Sequence, residues 1–157
     1  PAFAPAAGMT APVARHHQAD FAVGSLAPAA LFFVATLTTT PTRLPKILRT
    51  IDSICLQTRT FDEVILNIPH ELVRTGEVYI VPPSLESSLS ERGVLVRRVD
   101  RDWGPATKLV PTVHYLLKRL PRIASQLGGL TVADAIERTH IVVLDDDIVS
   151  TAENRVA

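Results

Sequence analysis

Apolar and polar positions along this chain switch between two rhythms, and each rhythm predicts an element. Leu31-Phe32-Phe33-Val34-Ala35-Thr36 is a continuous apolar run, the mark of a short buried strand. The polar stretch Thr38-Thr39-Thr40-Pro41-Thr42-Arg43 reads as a loop. Leu44, Ile47, Leu48, Ile51 and Ile54 then recur at helical spacing and predict a helix over 44–57. Thr42 suits its N-cap, and Pro45 falls in the first turn, where a missing N–H costs little. A second strand spans 63–68 and ends at Pro69. From 71 to 92 the pattern weakens. Tyr79-Ile80-Val81 fits a small strand broken by Pro82-Pro83, and the Ser-rich stretch 84–90 fits a short helix or a surface excursion. A third strand covers 94–99. Ala106, Leu109, Val110, Val113, Leu116, Leu117 and Leu120 form a near-complete helical stripe, with Pro111 bending the helix or delaying its start. Gly128-Gly129 marks a turn, and Thr131 with Asp134 resembles a capping box for a short helix. Ile141-Val142-Val143-Leu144 is the last strand. Its lack of polar alternation suits the middle of a parallel sheet covered on both faces.

The order β-α-β-insert-β-α-α-β predicts an α/β fold: a mostly parallel sheet of about four strands with flanking helices and right-handed crossovers. No internal repeat interrupts it. Residues 1–28 are dominated by Ala and Pro and predict a linker-like, poorly ordered tail, which leaves 29–157 as the folded domain. The chain starts at Pro rather than Met, so the expectation is that the natural N-terminus lies upstream.

Composition narrows the classes. With 157 residues, 46% hydrophobic and 20% charged, the chain is long and apolar enough for one domain with a real core. Net formal charge is zero, which removes the electrostatic case for nucleic acid or an anionic membrane. The lone cysteine, Cys55, excludes an internal disulfide and a cysteine-based zinc cluster. Its place in an apolar helical pattern predicts a buried, inert thiol. The five histidines lack metal-ligand spacing, and His16-His17 falls in the tail. No segment reaches the roughly 20 apolar residues of a membrane span, and no basic stretch precedes an apolar core as in a secretory signal.

Three stretches carry candidate chemistry. In Asp145-Asp146-Asp147, three carboxylates follow directly on an apolar strand. An acidic turn or helix cap needs only one of them. In open α/β sheets ligands bind at the carboxyl ends of strands, and hard divalent cations prefer carboxylate oxygen. A metal shared with a phosphate-bearing ligand is the reading that uses all three. On extended chain Asp145 and Asp147 share one side and Asp146 takes the other. The second stretch, Asp102-Trp103-Gly104-Pro105-Ala106-Thr107-Lys108-Leu109, is a strand-to-helix junction. Its helix N-terminus attracts anions, and Lys108 lies one turn in. The bland alternative is a capped helix with a solvated Lys, and Trp103 is either packing or a sugar or base platform. Third, the hydroxyls of residues 36–42 and Arg43 suit nucleotide recognition, although a Thr-rich cap explains most of them one at a time. That loop has no glycine, so neither the dinucleotide fingerprint nor the P-loop is present, and no Gly-x-Ser-x-Gly elbow occurs.

Taken together, the Phe32-Phe33-Val34-Ala35-Thr36 strand followed by Arg43 and a helix, the Gly104-to-Lys108 stretch before a second helix, and the strand ending in Asp145-Asp146-Asp147 resemble the GT-A-fold nucleotide-sugar glycosyltransferases, family 2-like. The resemblance covers about residues 30–150. The Asp run looks like that family's DXD motif, a short pattern whose specificity comes from its place in the topology. The resemblance implies a donor of the UDP- or GDP-sugar type. It implies Mn²⁺ or Mg²⁺ on Asp147 and Asp145, and Asp145 or Asp146 against ribose or the donor sugar. Thr36, Thr38 and Arg43 would line the nucleotide pocket, with Asp102, Gly104 and Lys108 near base or phosphates. The acceptor would be a glycan, lipid or protein. Two departures stand out. Where many members carry a base-contacting carboxylate after the second strand, this chain reads Asn67-Ile68-Pro69-His70-Glu71. The acceptor half and the general base of an inverting enzyme are expected beyond Ala157, so the 157 residues alone should not turn over. The rival readings are a sugar-1-phosphate nucleotidyltransferase, whose usual glycine-rich, basic opening is missing, a metal-dependent phosphate-handling enzyme, whose Asp-x-Thr pattern is absent, and a non-catalytic binding domain.

Overall fold

The computed structural model describes residues 30–147. The expected tail over 1–28, the residues after Asp147 and the expected general base lie outside the described residues. In chain order the elements are β1 (Phe32–Thr38), α1 (Ile47–Cys55), β2 (Glu63–Pro69), a short pair β3 (Glu71–Leu72) and β4 (Glu77–Val78), α2 (Pro83–Glu91), β5 (Val94–Val99), α3 (Val110–Gln126), α4 (Val132–Arg138) and β6 (Thr139–Val143). One turn of 3-10 helix precedes α1 at Leu44–Lys46, and another precedes α3 at Gly104–Lys108.

The protein is an α/β fold with one four-stranded sheet in the order β5-β2-β1-β6, every neighbouring pair parallel. The first three strands step outward in one direction. The chain then crosses back to the far side of β1. Parallel crossovers keep one hand, so a reversal of direction moves the connecting helices to the opposite face. The side chains follow this rule. On one face Ala35, Leu37, Leu66 and Ile68 pack against Ile47, Ile51 and Ile54 of α1 and Leu85 and Leu89 of α2. On the other, Phe32, Val34 and Ile65 pack against Leu116, Leu120 and Ile123 of α3 and Ala135 of α4. The period-2 alternation of β1 and β2 therefore feeds two cores, which is why both strands read as apolar runs interrupted only by Thr36 and Asn67 between their apolar residues.

Several local expectations are met. The capping box is present: the Thr131 hydroxyl accepts from the Asp134 N–H, and the Asp134 carboxylate accepts from the Thr131 N–H. The Thr131 hydroxyl also lies 2.6 Å from Asp134 Oδ2, and that bond, then the one from the Thr131 N–H, hold the Asp134 carboxyl below its ordinary range. Of the two roles open to Pro111, the structure takes the delayed start: Pro111 lies in the first turn of α3, where no N–H is missed. The Ser-rich stretch is a helix, α2, with Pro83 at its start.

Four expectations are corrected. The helix predicted from Leu44 to Gln57 begins with 3-10 geometry, and its α-helical part is only Ile47–Cys55. Thr42 is not its cap, because its hydroxyl meets Thr40 Oγ1 at 3.1 Å. Residues 79–81 are not a strand. The pairing lies two residues earlier, where Glu77–Val78 runs antiparallel to Glu71–Leu72 across a turn carrying Gly76 at φ +71°. Tyr79 is instead a core residue. Cys55 is exposed, because Ile54 takes the core-facing position and the next residue lies about 100° round the helix. Desolvation, and then the Asp52 carboxylate, push its thiol's pKa up. Finally, β6 pairs only with β1 among the described residues and lies at the sheet edge rather than in its middle. Its Val143 is 44% exposed. Four apolar residues in a row look the same in a central strand and in an edge strand packed on one side.

Candidate functional site

The reversal of strand order leaves β1 and β6 side by side, with the helices after β1 and after β5 on opposite faces of the sheet. In open α/β sheets such a switch point opens a crevice at the carboxyl ends of the strands. A cleft of about 530 Å³ opens here. Its walls come from four places far apart in sequence. The loop after β1 supplies Thr38, Thr39, Thr40 and Arg43, and the β3–β4 hairpin with Tyr79 forms a second wall. Asp102, Gly104, Pro105 and Lys108 come from the junction before α3, and Asp145 and Asp146 from the end of β6. A second cleft of about 560 Å³ lies beyond the hairpin, bordered by His70, Arg98, Asp100 and Arg101. It sits over neighbouring strands β2 and β5, away from the switch point, and its charges are mixed.

The acidic residues are not on extended chain. Strand pairing stops at Val143, Leu144 donates one more backbone bond to the Thr36 carbonyl (2.9 Å), and Asp146-Asp147 turn away. The three carboxylates are divided between two cationic side chains. Asp145 pairs with Lys108 across the cleft. Arg43 spans Asp146 at 2.8 Å and Asp147 at 3.4 Å. The Asp146 hydrogen bond, then the Asp146 and Asp147 charges, push the Arg43 pKa further up. The three carboxylates differ sharply in access. The Asp146 side chain is 9% exposed, while those of Asp145 and Asp147 are 56% and 61% exposed.

Lys108 is placed by its own backbone. Its carbonyl accepts from the hydroxyl of Thr36, and from Asn67 Nδ2 and Thr112 Oγ1 at 3.3 Å each. This buried cluster fastens the start of α3 onto β1 and β2. It also explains where Thr36 goes: fully buried, bonded to Thr112 (2.7 Å), and not part of the cleft wall. Asn67, at the place where a base-contacting carboxylate was sought, is likewise fully buried in this cluster. Thr38 does reach the cleft, with its hydroxyl donated to the Asn67 carbonyl at 2.7 Å.

Asp102 borders the cleft, but both its oxygens have backbone or hydroxyl partners. Oδ1 accepts from the Gly104 N–H and the Thr107 hydroxyl, both at 2.8 Å, and Oδ2 accepts from the Val73 N–H at 3.1 Å. It clamps the junction loop to the hairpin. Gly104 sits at φ +58°, a conformation side chains resist, so glycine is what lets the chain fold back onto Asp102. Trp103 is half-buried beside Arg101 and does not line the cleft.

Three contributors were not singled out in advance. The hairpin wall is one, and the sequence signal for it was Gly76 between two short polar-apolar pairs. Thr50 on α1 is another; its hydroxyl donates to the Asp146 carbonyl at 2.6 Å. The third is Tyr79, whose hydroxyl donates to the Thr39 carbonyl at 2.8 Å. Burial, and then the charges of Asp102, Asp146 and Glu77, push that hydroxyl up to about 12 from its ordinary 10. The folded state therefore holds this proton more tightly than the unfolded chain does. Its contribution to stability is complete below about pH 10 and is lost as pH rises to about 12. Urea midpoints measured across that range should fall for the unaltered chain and fall less for Tyr79→Phe.

Among the described residues no three His, Cys, Asp or Glu side chains converge as a ready-made metal cage. The donor set still fits a cation shared with a ligand. Mg²⁺ in particular is commonly held by one or two carboxylates, with phosphate oxygens and water completing its shell. Asp145, on the cleft wall, and Asp147, beyond it in the turn, are the two more exposed carboxylates of the run. No helix among the described residues is long and apolar enough to cross a membrane. Compared with known proteins, the chain matches no family model, no curated protein and no solved structure.

Proposed function

We propose that the switch-point cleft binds a nucleotide-diphosphate sugar of the UDP or GDP type with a divalent cation, and that the protein is a glycosyltransferase acting on an acceptor hydroxyl. The observation that carries this reading is the convergence of opposite charges on one crevice. Lys108 and Arg43 are suited to diphosphate oxygens, and Asp145 on the cleft wall, with the exposed Asp147 two residues on in the turn, to Mn²⁺ or Mg²⁺, at the place where α/β sheets bind nucleotides. Thr38 and Thr40 offer hydroxyl oxygens to the nucleoside along the β1 side, while the buried Thr39 holds Asp146. Asp102 and Gly104 shape the opposite wall. A bound cation would supply Lewis-acid stabilisation of the departing diphosphate. Deprotonation of the acceptor is assigned to a carboxylate outside the described residues.

Calorimetric titration of UDP and GDP, with and without Mn²⁺, tests this. Binding that requires the metal supports the donor-site reading. Tight metal-independent binding would favour a nucleotide-binding module without transfer chemistry. No binding of either nucleotide by the folded chain would remove the reading.

A further inference from the structure

We infer that Arg43 is the internal counter-ion of the acidic turn and competes with a divalent cation for it, so that the turn captures its metal only as a diphosphate draws the guanidinium away. The inference rests on the donor-site reading and adds to it a regulation: metal and diphosphate bind as a coupled pair.

One guanidinium nitrogen of Arg43, Nη1, lies 2.8 Å from Asp146 Oδ1 and 3.4 Å from Asp147 Oδ2. A single positive centre therefore bridges two adjacent carboxylates, as a bound cation would. A divalent ion placed on either carboxylate stands beside this charge and is repelled by it. A diphosphate reverses the balance, because its oxygens offer the guanidinium a bidentate, charged partner of the same kind. Arg43 can change partners without disturbing what carries it. Its side chain is 53% exposed. Its backbone is fixed in the loop after β1, the N–H on the Thr40 carbonyl at 3.0 Å and the carbonyl accepting from the Lys46 N–H at 2.8 Å. The turn keeps its place when the guanidinium leaves. The Thr39 hydroxyl still holds Asp146 Oδ2, and the Thr50 hydroxyl still holds the Asp146 carbonyl, both at 2.6 Å. The arginine is thus the exchangeable partner and the carboxylates are the fixed ones. By linkage, the factor that a diphosphate adds to metal affinity is the factor that the metal adds to diphosphate affinity.

Electron paramagnetic resonance of free Mn²⁺ measures metal affinity with and without UDP, the Mn²⁺–UDP complex formed in buffer being subtracted. The proteins are the unaltered chain, Arg43→Met and Arg43→Lys. Met keeps the apolar stem and removes the charge, whereas Lys keeps the charge. Without nucleotide, Arg43→Met should bind Mn²⁺ about 10-fold more tightly than the unaltered chain at low ionic strength, the size expected for one unit charge beside a divalent ion in a water-like medium. The enhancement by UDP should shrink by a similar factor. Arg43→Lys should stay close to the unaltered chain without nucleotide. A nucleotide-free Mn²⁺ affinity in Arg43→Met that equals or falls below that of the unaltered chain overturns the inference. So does an equal gain in Arg43→Lys, which would trace the effect to loop packing rather than to charge. Mn²⁺ affinity that ignores UDP in the unaltered chain removes the donor-site reading, and this inference with it; that outcome is visible before any substitution is made.

Discussion

Replacing Asp145 by Ala should abolish the metal-dependent part of UDP binding while strengthening the metal-free part. Asp145 is the carboxylate that both lines the cleft and is more than half exposed, and its partner is Lys108 on the opposite wall. The Asp145 end of this pair is open to solvent, so its carboxylate can exchange Lys108 for a cation. The incoming diphosphate takes Lys108, and the cation takes Asp145. Without Asp145 the cation loses a ligand, and the expected fall in Mn²⁺-dependent affinity is about 100-fold, or roughly 2.8 kcal/mol. Lys108 is meanwhile left without its counter-charge, and a repelling carboxylate is gone from the diphosphate's path. Anion binding in chelator should therefore improve. Lys108→Ala should do the reverse, weakening UDP under both conditions. Calorimetry of the three proteins in Mn²⁺ and in chelator separates these signs. An Asp145→Ala chain that kept its full Mn²⁺ enhancement would show that the cation sits elsewhere.

Asn67→Asp should be the most damaging isosteric change for stability. Asn67 is fully buried, and its amide nitrogen donates to Thr112 Oγ1 at 2.8 Å and lies 3.3 Å from both Thr36 Oγ1 and the Lys108 carbonyl. Its Oδ1 has no partner among the described residues. A carboxylate there brings a second acceptor against a carbonyl, with no cation among the groups it touches. An uncompensated buried charge of this sort costs about 3–5 kcal/mol. Burial raises such a carboxyl's pKa, so the folded state takes up a proton that the unfolded chain releases at about pH 4. The penalty is thus complete above the raised pKa and shrinks as pH falls toward the unfolded value. Urea midpoints at about pH 5 and pH 8 should differ more for the variant than for the parent. Equal midpoints for the two chains at neutral pH would mean that the cluster does not hold the start of α3 as described.

The two predictions draw on different depths of the sequence. The α/β class and the four sheet strands were legible because they depend on near-neighbour patterns. The apolar runs at 32–37 and 64–68 and the helical stripe from Val113 to Leu120 each report on their own burial. The capping box at Thr131 and Asp134 was legible for the same reason, being complete within four residues. The carboxyl-edge location of the candidate site was legible too, since an acidic run directly after an apolar strand can lie nowhere else.

The partners within that site were not legible. Asp145, Asp146 and Asp147 are chemically identical, and only long-range contacts tell them apart: Lys108 is 37 residues from Asp145, and Arg43 and Thr39 are over a hundred residues from Asp146. The family resemblance placed Thr36 in the nucleotide pocket, and Asn67 stood where a base-contacting carboxylate was expected. Which face of the strand each occupies, and whether a helix covers that face, depends on where the chain reverses its strand order. That reversal, with the helices it sends to the opposite side, buries Thr36 and Asn67 under α3. It also puts β6 beside β1 rather than beside β5. Periodicity along the chain specifies what each segment can bury. The order of the strands chooses which polar groups are covered and which are left to face a cleft, because that order is set by packing between segments that never meet in sequence.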